Sequence, residues 1–220
     1  DLTEGVWDVI ESSMKLPLLI AFSCLPLFGQ GGIIQVPPKQ PVPQEVMLSA
    51  QKATQALINK SVRGDYRALV EKENPAWSKI ASRGRFPDIK SYQAHSVQLL
   101  KKMVAEGFIF QAAVAQEAMV GYEVNYKAGG YKDWMVFVPT VNDYAVMDRE
   151  VQPARLRKLR SRRFQIAIAP KAALRAKGQE AWTFVSGAGI TGIQLRQLYP
   201  FLPKNEKLLG FPPLETAERK

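Results

Sequence analysis

One histidine and two aspartates are the side chains of this chain best suited to move a proton near neutral pH. His95 is the only histidine, and an imidazole titrates close to neutrality unless its surroundings shift it. It falls on a predicted helix near Val97 and Leu100, where a structural histidine is the preferred reading. Asp143 and Asp148 stand in "TVNDYAVMDRE", where a pocket aspartate could serve as the base of an isomerase- or cyclase-like reaction. Their spacing puts them on opposite faces of a regular strand, so at most one faces inward. Turn or rim positions are preferred for both, and no catalytic residue is assigned. A single histidine and a single cysteine, Cys24, do not make a transition-metal site. No metal and no cofactor are expected.

The densest charge is "ARLRKLRSRRF", holding Arg155, Arg157, Lys158, Arg160, Arg162 and Arg163. On a strand, Arg155 and Arg157 lie on one side and Lys158, Arg160 and Arg162 on the other. No aromatic residue is interleaved to stack on bases, so nucleic acid is not an expected partner. A solvated strand whose charges protect a sheet edge is preferred. The alternative is an anion-binding face for phosphate, lipid head groups or acidic polymers. Trp77, Tyr122, Trp134, Tyr144 and Trp182 could wall a pocket for a small hydrophobic ligand or fill the core, and core filling is preferred.

A further motif is Gly187-Ala188-Gly189-Ile190-Thr191-Gly192, which has the G-x-G-x-x-G spacing of a dinucleotide-binding turn. That turn needs a parallel strand, helix and strand around it. The strand before Gly187 comes after other strands joined by hairpins, and the residues beyond Gly192 supply one short helix and proline-rich coil. Gly187 and Gly189 are therefore read as letting the chain turn out of the sheet.

These residues must be held by regular elements, and hydrophobic periodicity gives them. Helical spacing runs from Glu45 to Ser61 and stops at Gly64. A second helix starts with Asp65 as N-cap and is kinked or divided by Pro75. A third starts at Pro87 and Asp88, carries an apolar stripe of Ile89, Tyr92, Val97, Leu100, Met103 and Val104, and ends at Gly107. From Phe108 the period becomes that of strands, through Tyr122–Tyr126, a turn at Ala128-Gly129-Gly130, and "DWMVFVPTV". This last stretch is apolar on both faces, so a second layer must cover it, either a second subunit or the C-terminal tail. Pro139 marks a bulge or an edge. A long strand from Arg155 to Ala169, the basic loop "PKAALRAKGQEA" and a last strand from Trp182 to Ser186 complete the sheet.

The net charge is +10, and residues 31–220 carry 29 of the 30 basic residues and 16 of the 20 acidic ones. Ahead of them, "MKLPLLIAFSCLPLFGQGG" has the layout of a secretory signal peptide. Its 13-residue apolar run is too short to span a bilayer as a helix. This organisation divides the chain into upstream sequence at 1–13, a signal segment at 14–30, a proline-rich linker at 31–43, a domain at 44–203 and a tail at 204–220. A mature chain cut after the signal holds no cysteine, no disulfide and no transmembrane span, and belongs in the periplasm or outside the cell.

The segments "GDYRALVEKENPAW", "VFVPT", "WTFVSGAGI" and "LRQLYPFLP" resemble the nuclear transport factor two-like superfamily, which includes SnoaL-like cyclases and ketosteroid isomerase. They are most similar to secreted bacterial domains of that superfamily with no assigned function. The resemblance implies an α+β cone: three N-terminal helices packed into a strongly curved antiparallel sheet, closed as a cystatin-like α+β barrel, with a short C-terminal helix and tail. It also implies a pocket inside the cone and dimerisation through the sheet. It carries over no catalytic motif. The expected function is binding, of a small molecule in the pocket or of a protein partner through the sheet. The alternatives are an isomerase, cyclase or dehydratase and a basic surface for anionic polymers.

Overall fold

The computed structural model describes residues 42–118, 120–127, 130–149, 151–188 and 190–218. The expected signal segment and nearly all of the proline-rich linker lie outside the described residues. Among the described residues no helix is long and apolar enough to cross a membrane.

Four helices precede the sheet: α1 (Gln44–Val62), α2 (Tyr66–Glu71), α3 (Pro75–Ser82) and α4 (Ile89–Ala105). The predicted second helix is two, because Pro75 opens a helix rather than continuing one. The Asn74 side chain caps α3 by accepting from the amides of Ala76 and Trp77. Asp65 and Asp88 cap α2 and α4 by accepting from Ala68 and Ser91. Gly64 and Gly107, at φ of 78° and 100°, take the left-handed conformations that end α1 and α4.

The sheet is antiparallel and six-stranded: β1 (Ile109–Ala115), β2 (Val120–Lys127), β3 (Gly130–Asp148), β4 (Arg155–Pro170), β5 (Thr183–Ser186) and β6 (Glu215–Glu218). Two long strands form its spine, with β3 and β4 paired without a break from Asp133↔Pro170 to Asp148↔Arg155. Short strands flank them end to end, β2 and β1 along β3, and β5 and β6 along β4. Pro139 falls between the stretch of β3 paired with β2 and the stretch paired with β1, where a missing amide costs no ladder bond.

The outer strands do not pair with one another, so the sheet is open and the expected closed barrel is corrected. The predicted basic loop is also corrected. It forms α5 (Lys171–Lys177) and a 3-10 turn, Gly178–Ala181, because Ala172, Ala173, Leu174 and Ala176 favour a helix. Beyond it lie α6 (Gly192–Leu198) and a single turn, α7 (Glu206–Leu209).

Alternation along β3 and β4 gives two sheet faces. On one, Val136, Val138, Ala167 and Ala169 meet Val46, Ala50, Ala53 and Leu57 of α1. Further along that face, Tyr144 and Leu159 meet Met103 of α4. On the other face, Met135, Phe137, Phe164, Ile166 and Ile168 meet Trp77, Leu195, Tyr199, Leu202 and Leu209. The strand that is apolar on both sides is thus covered by α1 on one side and by the C-terminal segment on the other. That segment includes residues expected to be tail: Leu209 is fully buried, and the Tyr122 hydroxyl donates to the carbonyls of Leu208 and Leu209.

Candidate functional site

The unbroken register of β3 and β4 decides where each predicted site residue points. Asp143 pairs with Arg160 and Asp148 with Arg155, on opposite faces as their spacing requires. Asp143 lies on the face of the C-terminal segment and accepts two hydrogen bonds from Arg160, Nε to Oδ1 at 2.7 Å and Nη2 to Oδ2 at 2.9 Å. The carboxylate in turn raises the pKa of Arg160 through that hydrogen bond and its charge. Asp148 is buried on the helix face, 3.8 Å from Arg157 Nη1. Both aspartates are therefore engaged by arginines, and neither is brought near His95. That histidine is exposed on α4, with its ring 5.2 Å from Phe86.

The predicted aromatic walls do not enclose one space. Trp182 is fully buried and donates from Nε1 to Ser49 Oγ at 3.0 Å. Trp77 and Tyr122 belong to the cluster on the C-terminal face and Tyr144 to the cluster under α4. Trp134 is half-buried, with the Lys171 ammonium 4.2 Å above its ring and Glu123 paired to the same lysine. A cleft of about 90 Å³ lies between β2 and the segment Leu198–Leu202. Ligand pockets of drug size run to roughly 300–1,000 Å³, so this cleft does not match one.

The basic strand behaves as a set of paired charges. Arg160 is held by Asp143, Arg162 by Glu215 at 3.4 Å, and Arg157 by Asp148 and by Glu218 at 3.4 Å. Arg163 donates to Thr216 Oγ1 at 3.0 Å. Three of these five partners come from β6, whose two glutamates sit three residues apart and so reach opposite faces. Among the described residues, Arg155 and Lys158 have no ion-pair partner.

Sequence reasoning missed β6, because Pro212 and Pro213 just before it read as coil. The signal was there in Glu215-Thr216-Ala217-Glu218, an acidic spacing that complements the basic strand. It also missed Glu73, a half-buried carboxylate just ahead of α3. Burial raises its pKa, against hydrogen bonds donated by Ser78 Oγ at 2.6 Å and the Tyr92 hydroxyl at 3.1 Å. Burial, together with the charge of Glu73, likewise pushes Tyr92 far up. Both carboxyl oxygens of Glu73 are thus occupied, and the group fastens α3 to α4.

The C-terminal face has an open half. Beyond Phe164 this half carries Val141, Asp143 and Met147 of β3, with the fully buried Ala145 between them, and Leu156, Lys158, Arg160 and Arg162 of β4. Register adds Ile109 and Val114 of β1, opposite Ala145 and Val141. Ile109, Val114, Met147 and Leu156 are 46%, 57%, 39% and 42% exposed. This area joins four large apolar side chains to Lys158 and to the ion-paired Arg160 and Arg162. No protein-family model, no curated protein and no solved structure matches this chain.

Proposed function

We propose that this domain is a protein-binding module whose working surface is the open half of the sheet. The observation that carries the reading is the presence of the exposed Ile109, Val114, Met147 and Leu156 on one half-face together with Lys158, which has no ion-pair partner among the described residues. Exposed apolar area of this kind marks interaction sites, and Lys158 favours an acidic group on the partner. The resemblance to the nuclear transport factor two-like superfamily supports the same reading, since sheet surfaces serve its members in dimerisation. An export signal at residues 14–30 places the module in the periplasm or outside the cell, and N-terminal sequencing of exported protein tests that placement.

A photo-crosslinking residue at position 114 tests the surface. The expected result is a specific adduct with a partner protein, lost in Leu156→Asp and absent when the crosslinker sits at position 79 on α3. Equal adducts at both positions, or none at position 114, would reject the open face.

A further inference from the structure

The second feature of β4 is its edge. Residues Leu159–Arg162 pair with Glu218–Glu215 of β6, and residues 165–168 pair with β5. Among the described residues Arg155–Lys158 pair on one side only, with β3. A one-sided strand presents unsatisfied amides and carbonyls to any extended chain that can match it. Here the edge continues a ladder that already holds an acidic strand.

Three properties of that strand make it a resident stand-in. All four of its residues are exposed, so it buries little apolar surface. Its ion pair Arg162–Glu215 joins side chains that are 61% and 60% exposed, a kind that holds weakly. Its other pair leaves an arginine incompletely served: Arg157 is 22% exposed, contacts Asp148 and Glu218 only at 3.8 and 3.4 Å, and has a buried Nε with no hydrogen-bond partner. A buried donor without an acceptor is costly, and a better-placed carboxylate would relieve it.

We infer that the edge of β4 is a docking edge for an extended acidic peptide, which adds as an antiparallel strand along Arg155–Arg162 and displaces β6. The incoming strand gains ladder bonds at Arg155–Lys158 that the described residues of β6 do not make, and it meets Arg155 and Arg157, which share one face, with carboxylates. Backbone pairing supplies affinity and the charge pattern supplies selectivity, as in other strand-addition complexes. The inference goes beyond the open face, because the edge can work whether or not that face binds anything.

The test uses the full chain and a synthetic peptide that begins with the sequence of Leu214–Glu218 and continues with alternating Thr and Glu to reach opposite Arg155. Binding is compared in the natural chain and in Glu215→Lys/Glu218→Lys, which frees β6 while keeping the Leu209 and Phe211 anchors. Relief of intramolecular competition should tighten binding roughly tenfold. Amide exchange should slow at Arg155–Lys158 when peptide is added. A control peptide, N-methylated on the amides that face β4, keeps every charge but cannot form the ladder and should not bind. Equal binding of the control, or no change in exchange along β4, would overturn strand addition and leave the open-face reading untouched. Dimerisation of the freed variant through the same edge without peptide would overturn the acidic-peptide partner in favour of a second copy.

Discussion

Asp143 and Arg160 face each other across the two long central strands and share two hydrogen bonds, at 2.7 and 2.9 Å. The pairing decides how the acidic and basic candidates of this chain are read. A carboxylate already holding a guanidinium fork has a structural task, and the same fork removes one cation from the surface charge. A long basic strand thus becomes a ladder of cross-strand pairs, with its remaining charge concentrated at Arg155 and Lys158.

Asp143→Asn should leave the strands paired and lower thermal stability slightly. The loss should shrink as salt is raised, because the Arg160 side chain is 51% exposed and charges open to solvent are screened over about 8 Å at physiological ionic strength. A double-mutant cycle with Arg160→Gln isolates the fork. A loss indifferent to salt would assign the cost to packing instead.

Gly187 tests the phosphate-turn motif. A Cβ placed there would meet the Phe164 ring at 2.4 Å, and the Gly187 amide donates to the Phe164 carbonyl at 2.9 Å. The glycine is required by close approach to an aromatic ring. Gly189 lies outside the described residues, while Gly192 opens the seven-residue helix α6 behind a Thr191 capping box. Gly187→Ala should cost about 1–3 kcal/mol by overpacking, and added nucleotide should not shift the melting temperature of either protein. A nucleotide-dependent rise in the natural chain, abolished by the substitution, would restore the motif.

Local signals carried much of the fold. Asp65, Asp88, Gly64, Gly107 and Pro75 each act where their chemistry says they should, because caps and stops depend on a few neighbouring atoms. The face assignment of Asp143 and Asp148 was legible for a related reason, since alternation is fixed once a strand is regular. What the sequence could not give was long-range pairing. The open sheet depends on which strands lie beside β3 and β4. The role of Leu209 depends on contacts with Tyr122, far back in the chain. The ion pairs of Glu215 and Glu218 became visible only once β6 was seated beside β4.

The C-terminal segment should therefore be part of the folding unit. Leu209 is fully buried, and Phe211 packs its ring 5.3 Å from Phe137 and 5.5 Å from Phe164. Leu209→Ala should cost about 2–5 kcal/mol, and a chain ending at Pro203 should expose the apolar face of β3 and bind a hydrophobic dye. Trp182→Ala, at the fully buried indole against α1, should cost about 3–5 kcal/mol. Denaturant unfolding measures both point variants. A truncated chain as stable as the full one would remove the C-terminal segment from the core.

Glu73 gives the fold a pH dependence of predictable sign. Its pKa is raised above the ordinary 4.5, first by burial and against the hydrogen bonds of Ser78 and Tyr92. The folded state therefore holds this proton more tightly than the unfolded state does. As pH rises from 4.5 through the raised value, unfolding releases the proton, so this group's contribution to stability falls across that window and stays lower above it. Glu73→Gln keeps an acceptor for one of the two hydroxyls and cannot ionise. The difference in unfolding free energy between natural chain and variant should thus favour the natural chain most at the acid end and shrink, or reverse, toward neutrality. Chemical denaturation at a series of pH values gives that difference directly. A difference that grows with pH would mean that the carboxylate form is the one the fold prefers, with the two hydroxyl donors outweighing the cost of burial.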